Sequence, residues 1–272
     1  MLDELLQKKL RERFNPDGSL LRQHQLRMLE MLKFIDDVCK KYDIKYWLCS
    51  GTLLGAVRHG GFIPWDDDLD IEMLRDDYKK FVKAIAIEGK DHYALQTHQT
   101  DFNYFAPYGK LRDLRSCIKE DSTNDLYYKF HGAYIDVFIM KPSSSLILHR
   151  ISNKLQDVLL FKANGLLKNK FIRRCYFSLM CILLHNILFP VLQTLSALNA
   201  KRQLRHTMGS GFTKPRYNDD IFPLKDIEFE GSKFPVPGNT HSYLSKIYGD
   251  YMVIPNVNEI RVHTVHVEFY VD

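Results

Sequence analysis

Ser50-Gly-Thr-Leu-Leu-Gly-Ala-Val-Arg-His-Gly-Gly-Phe-Ile-Pro-Trp-Asp-Asp-Asp-Leu-Asp70-Ile71 is the stretch on which the fold turns. Gly51, Gly55, Gly60 and Gly61 punctuate it as a turn, and Pro64 stops any helix before Trp65. Residues two apart on a strand share a face, so Asp68 and Asp70 project together, about 7 Å apart at the backbone. Leu69 and Ile71 then point into the core. Two carboxylates on one face repel unless a cation lies between them, and hard oxygen ligands suit Mg2+ or Mn2+. Asp66 and Asp67 add negative charge beside the pair, where they orient ligands or hold water. A solvated acidic turn is the bland alternative; the apolar residues among the aspartates and the glycines upstream weigh against it. An EF-hand loop also begins Asp-x-Asp-x-Asp, but it needs Gly where Ile71 stands.

Outward from this stretch, strands and helices alternate. Ser19 N-caps a helix running to about Lys41, with Leu26, Leu29, Leu32, Ile35 and Val38 on its apolar stripe. Residues 44–50 and 69–74 read as buried strands, and 76–88 as an amphipathic helix. Short β segments follow at 92–97, 104–114 and 133–140. In the last of these Asp136 stands alone among apolar residues. A buried acid is costly unless neutralised, so Asp136 is either a third metal ligand or half of a salt bridge with an Arg. Residues 229–234 resemble a hairpin, 242–248 a short helix and 262–270 a final strand. The pattern predicts an α/β (α+β) fold: a mixed β-sheet with flanking helices.

With 272 residues, 45% apolar and 26% charged, the chain is neither disordered nor fibrous. Its net charge of +5 is unevenly spread. Thirteen Lys or Arg stand against the single acid Asp157 between Lys141 and Tyr217, which leaves the remainder net acidic. From Leu146 to about Arg205 the sequence is helical, apolar and basic. One domain over residues 1–272 with a helical insertion at about 142–217 fits better than two units. The apolar run Tyr176–Leu192 contains Ser178, His185, Asn186 and Pro190 and has basic residues at both ends. Buried core helices or a membrane-surface element account for it better than a true span. Five cysteines, an odd number with no C-x-x-C pair, read as reduced thiols, and the charged N-terminus implies no export. A cytoplasmic protein is expected, with no nucleic-acid motif.

Residues 44–71 resemble the signature of the LicD family, the bacterial phosphorylcholine transferases related to fukutin and fukutin-related protein. Tyr104-Phe-Ala-Pro-Tyr-Gly-Lys110, Tyr134-Ile-Asp136-Val-Phe, Tyr248-Gly-Asp-Tyr251 and Arg261-x-His263 are similar to its later landmarks, in order. The likeness spans most of the chain outside the basic insertion. It implies a nucleotidyltransferase-type fold in which a turn, here Ser50-Gly51-Thr52, precedes the Asp68/Asp70 strand and Asp136 comes from a neighbouring strand. Ser50 replaces a residue that is more often Gly.

The implied activity is transfer of a phospho-alcohol, most often phosphocholine, from a CDP-activated donor to a glycan hydroxyl, with release of CMP. Phosphoryl transfer asks for charge neutralisation and in-line placement. One or two divalent ions on Asp68, Asp70 and Asp136 would supply the first, and Asp136 is the candidate for activating the acceptor hydroxyl, directly or as a metal ligand. Backbone N–H groups of Gly51 and Thr52 would cradle a phosphate, with Arg58 and Lys110 on its oxygens. Arg58 has the alternative of pairing with Asp66 or Asp67. His59 is either catalytic or a holder of the loop. Trp65 belongs to a cation–π box for a quaternary ammonium or to packing. Arg261 and His263 would close the pocket. The expected partners are a CDP-choline-like donor, a glycan acceptor or its lipid-linked precursor, and an anionic membrane surface on the inner face of the plasma membrane.

Two other readings compete. A glycosyltransferase with an Asp-x-Asp motif normally has a longer nucleotide-binding half than the 67 residues before Asp68 allow. A binding module without chemistry fits the basic segment, but that segment interleaves aliphatic runs, not exposed aromatics.

Overall fold

A computed structural model of the chain describes residues 3–119, 127–257, 259–260 and 266–270. Helices α1 (Glu4–Phe14) and α2 (Leu20–Lys41) come first, and the Ser19 hydroxyl caps α2 by accepting from the Arg22 N–H at 3.2 Å. Then follow β1 (Trp47–Leu48), α3 (Ser50–His59), β2 (Asp70–Leu74), α4 (Arg75–Glu88), β3 (Tyr93–Gln96), β4 (Gly109–Asp113), β5 (Ser116–Lys119) and β6 (Tyr134–Pro142). A helical segment comes next. In it α5 (Leu146–Gln156) runs through a π-helical turn into α6 (Ala163–Leu166), and α7 (Lys170–Cys181) through another, Ile182–Leu188, into α8 (Phe189–Ala197). Last are β7 (Gln203–His206), β8 (Arg216–Tyr217), α9 (Asn218–Ile221), β9 (Lys225–Phe229), β10 (Ser232–Val236), α10 (Thr240–Tyr248) and β11 (His266–Phe269).

The main sheet runs β1-β2-β6-β4-β3, with β7 also on β6 and β8 on β7. Among the described residues only β2 and β6 are parallel in this sheet and its other pairs are antiparallel, so the sheet is mixed, as the element pattern predicts. Strand β6 is the hub. Its Ile135, Val137, Phe138 and Met140 are buried, the composition of a strand covered on both faces. Helices α2 and α4 lie against it, and Met28, Leu32 and Ile35 of α2 are wholly inside.

Several elements differ from the sequence reading. Residues 50–59 form a helix, not a turn: Leu53, Leu54 and Ala56 pack inward, and Gly60 ends it at φ 68°. Gly55 is needed there because a Cβ would lie 2.5 Å from the Gly61 carbonyl oxygen. Of residues 104–114 only Gly109–Asp113 form a strand, since Pro107 has no N–H to give to a ladder. Of residues 44–50 only Trp47–Leu48 pair with a neighbour. The helical segment stops at Ala197, and residues 203–206 return to the sheet on β6 after a turn in which Lys201 takes φ 48°. The hairpin at 229–234 and the helix at 242–248 are present, and the last strand begins at His266. All five cysteines are free.

Candidate active site

The strand register assembles the site. Asp70 on β2 lies opposite Asp136 on β6, and Lys110 on β4 lies opposite Asp136 from the other side. In-register neighbours project to the same face, so these side chains form one row across three strands. Lys110 Nζ is 2.9 Å from Asp136 Oδ1, and the same ammonium sits 3.3 Å from the Tyr134 ring centroid.

Backbone contacts fix the row. The Thr52 hydroxyl accepts from the Asp70 N–H at 2.8 Å, and the Leu69 carbonyl accepts from the Asp136 N–H at 2.9 Å. Leu69 itself is fully buried and locks the stretch between Asp68 and Asp70. The loop just ahead is held from α2. Gln25 Nε2 donates to the Asp66 carbonyl at 2.9 Å and His24 Nε2 to the Asp67 carbonyl at 2.9 Å. Gln25 in turn accepts from Asn15 Nδ2 at 2.7 Å, which ties the N-terminal helices to the acidic loop.

The carboxylates perturb one another. Burial first, then the charges of Asp68, Asp136 and Asp66, push the Asp70 carboxyl well above its ordinary range. Burial, then Asp136 and Asp67, raise Asp68 to about 6, with Lys110 and a hydrogen bond from Asp66 working the other way. Asp66 is raised by burial and by Asp68 and Asp67. Burial and mutual repulsion thus favour the protonated form of these carboxyls, with Lys110 opposing the shift at Asp68 and Asp70. Among the described residues no group of three His, Cys, Asp or Glu side chains is placed to hold a metal ion. Only the chemistry of the side chains, carboxylate oxygens on neighbouring strands, is of the kind that hard divalent ions prefer, and Lys110 already neutralises Asp136.

Residues 43–164 match the description "LicD/FKTN/FKRP, nucleotidyltransferase domain". The chain is also 28% identical over 265 residues to the lipopolysaccharide cholinephosphotransferase LicD of Haemophilus influenzae, covering 90% of this chain and 96% of that one. This protein carries a domain of the LicD type over residues 43–164 and resembles LicD along most of its length. It is an enzyme of the LicD transferase type. An uncharacterized protein of Rickettsia typhi is 52% identical over 60 residues, 22% of this chain and 19% of its own. The human ribitol 5-phosphate transferase FKRP is 42% identical over 48 residues, 18% of this chain and 10% of its own.

The other residues singled out in this LicD-like sequence fall in different places. Ser50 takes φ 48°, a left-handed conformation that favours glycine and accounts for the Gly more often found there. A Cβ on Gly51 would sit 2.9 Å from Asp66 Oδ2, so the start of α3 lies against the Asp66 carboxyl. Arg58 is buried and donates to His59 Nε2 at 2.9 Å and to the Tyr251 carbonyl at 3.0 Å, while its charge acts on Asp66. Because His59 Nε2 accepts, Nδ1 carries the proton and donates to Gln7 Oε1 at 2.7 Å. Burial, then Arg58, moves His59 down to about 3, which favours its neutral form. Trp65 packs edge-on against Phe14 and His59, with ring centroids 5.3 and 5.9 Å away. Arg261 and His263 lie outside the described residues.

The sequence reading missed His24, Gln25 and Glu72, and named Tyr248 only as part of a landmark. His24 and Gln25 lie on the same buried stripe of α2 as Leu21 and Met28, and two polar residues inside an apolar stripe were the available signal. Glu72 shares the face of β2 with Asp70. It accepts from Trp47 Nε1 at 2.9 Å and the Tyr243 hydroxyl at 2.8 Å, and it pairs with His206 at 2.8 Å and Arg216 at 3.3 Å. Tyr248 stands close enough to Asp70 that the carboxylate, after burial, raises its hydroxyl.

Proposed function

We propose that this enzyme transfers a phospho-alcohol, phosphocholine first among them, from a CDP-alcohol to a hydroxyl of a glycan or its lipid-linked precursor. The carrying observation is the register that lines up Asp70, Asp136 and Lys110, with Asp68 two residues ahead. Mg2+ or Mn2+ held by Asp68, Asp70 and Asp136 would neutralise the diphosphate and the charge that grows on departing CMP. Asp136 takes the proton of the acceptor hydroxyl as its oxygen bonds to the phosphorus bearing the alcohol. The bond from that phosphorus to the bridging oxygen breaks, and CMP leaves with the electron pair. Lys110, already on Asp136, faces the same space and contacts a phosphate oxygen. The choline reading rests on likeness to a cholinephosphotransferase over most of the chain, against 48 residues shared with a ribitol phosphate transferase.

A donor panel tests this reading. Purified protein, Mg2+ and a glycan extract are incubated with CDP-choline, CDP-ribitol, CDP-glycerol and UDP-sugars, and the released nucleotide is measured. The expected result is CMP, fastest from CDP-choline and abolished by EDTA. Release of UDP alone would instead support an Asp-x-Asp glycosyltransferase, and no release from any CDP-alcohol would overturn the proposal.

A further inference from the structure

The helix that runs through α7, the second π-helical turn and α8 spans Lys170–Ala197, with a mean hydropathy of 1.9 in its most apolar stretch. Only 22% of that stretch is buried. One side is packed: Phe177, Cys181, Leu184 and Phe189 join Phe105, Leu160 and Met208 in a satellite core. The other side is open. Ile172, Leu179, Leu183, Ile187, Val191 and Leu195 are each between 41 and 54% exposed. From Leu179 or Leu183 onward these residues recur every four positions, a spacing that drifts around a 3.6-residue helix. The wider turn at Ile182–Leu188 counteracts that drift and keeps them on one side. A contiguous apolar face of this length is unusual on a monomer's surface.

Charge identifies what covers it. No Asp or Glu occurs from Val158 to Asn218, and none of Asp, Glu, Lys or Arg from Cys175 to Ala200. The exposed cations lie at the ends of the apolar face: Lys168, Lys170 and Arg174 at one, Lys201 at the other. Lys162 and Arg202 are nearby but pair with Asp157 and Asp219. An apolar centre with cationic ends suits the headgroup and acyl boundary of an anionic leaflet.

The packed side decides the orientation. Arg173 donates to Asn103 Oδ1 at 2.7 Å near the start of the helix, His185 bonds Gln156 at 2.9 Å in its middle, and Ser196 bonds Ser143 at 2.7 Å near its end. A helix crossing the bilayer would leave all three contacts behind. We infer that the Lys170–Ala197 helix lies in the plane of an anionic membrane surface, its open side among the lipids and its packed side on the enzyme. This inference is independent of the transfer reaction.

Flotation of the full chain with vesicles of phosphatidylcholine, alone or with one third phosphatidylglycerol, tests it. Binding to the anionic vesicles at low salt is expected, with a Leu183→Trp probe shifting to shorter emission wavelengths. Replacing Lys168, Lys170 and Arg174 by Gln should weaken binding about fivefold each, about a hundredfold together. Leu179→Ser with Ile187→Ser and Val191→Ser should abolish it, while circular dichroism and the thermal midpoint stay unchanged because these side chains are half exposed. Asp136→Asn should bind like wild type, which separates this outcome from any failure of the transferase reading. The inference is overturned by no flotation at low salt, or by equal flotation of both variant sets. It is equally overturned by a solution dimer that the serine variant dissolves, or by cellular protein that only detergent, and not high salt, extracts.

Discussion

At Ser50 a side chain is held at φ 48°, a conformation that costs an L-residue about 1–2 kcal/mol. Ser50→Gly is therefore expected to raise stability by about 1 kcal/mol in urea unfolding, with turnover retained. Asp68 has a second consequence at this scale. Its carboxyl is raised to about 6 from its ordinary value of 3.8 by burial and by Asp136. The folded protein thus holds that proton more tightly than the unfolded chain, and stability is lost as pH rises from about 4 through about 6. In EDTA, wild type should lose thermal midpoint relative to Asp68→Asn across that window, and added Mg2+ should restore it. Parallel midpoints in the two proteins would show that the charges do not strain the site. The acidic residues were legible in sequence because aspartates amid apolar strands need a neutralising partner. Where Lys110 would fall was not, because only the register of β4 against β6 sets it on Asp136. The hydrogen-bond partners of Arg58 were hidden for a like reason: one of them, the Tyr251 carbonyl, is 193 residues away and no local pattern announces it.

Element by element, the acidic loop depends on α2. Gln25 is fully buried and bridges Asn15 to the Asp66 carbonyl. Gln25→Ala strands those polar groups, at a cost of about 1–3 kcal/mol. It should also lower turnover about tenfold or more through misplacement of the aspartates, with the Asp-to-Asn variants unaffected by the addition. Behind the site, Glu72 is held down at about 2 although burial alone would raise it, with Arg216 the first stabilising cause and His206 the next. Its contribution is present above the ordinary glutamate value of 4.5 and is lost as pH falls from there towards 2. The urea midpoints of wild type and Glu72→Gln should therefore converge as pH drops through that range. A constant gap would mean that shape, not charge, is what the variant removes. At this scale α2, α4 and the hairpin were legible from caps and periodicity. Helix α3 was not, because its glycines signal a turn while the packing of Leu53, Leu54 and Ala56 decides for a helix.

For the whole molecule, the basic and apolar insertion could be recognised from composition, but its return to the sheet could not. Strand β7 is only four residues long and forms because the edge of β6 offers it a partner. The central claim concerns the row of carboxylates that β2 and β6 bring together. CMP release from CDP-choline, measured for wild type, Asp68→Asn and Asp136→Asn under the same Mg2+, tests it most directly. Each variant should keep its fold and lose about a hundredfold or more in turnover. Two folded variants turning over at the wild-type rate would contradict the claim.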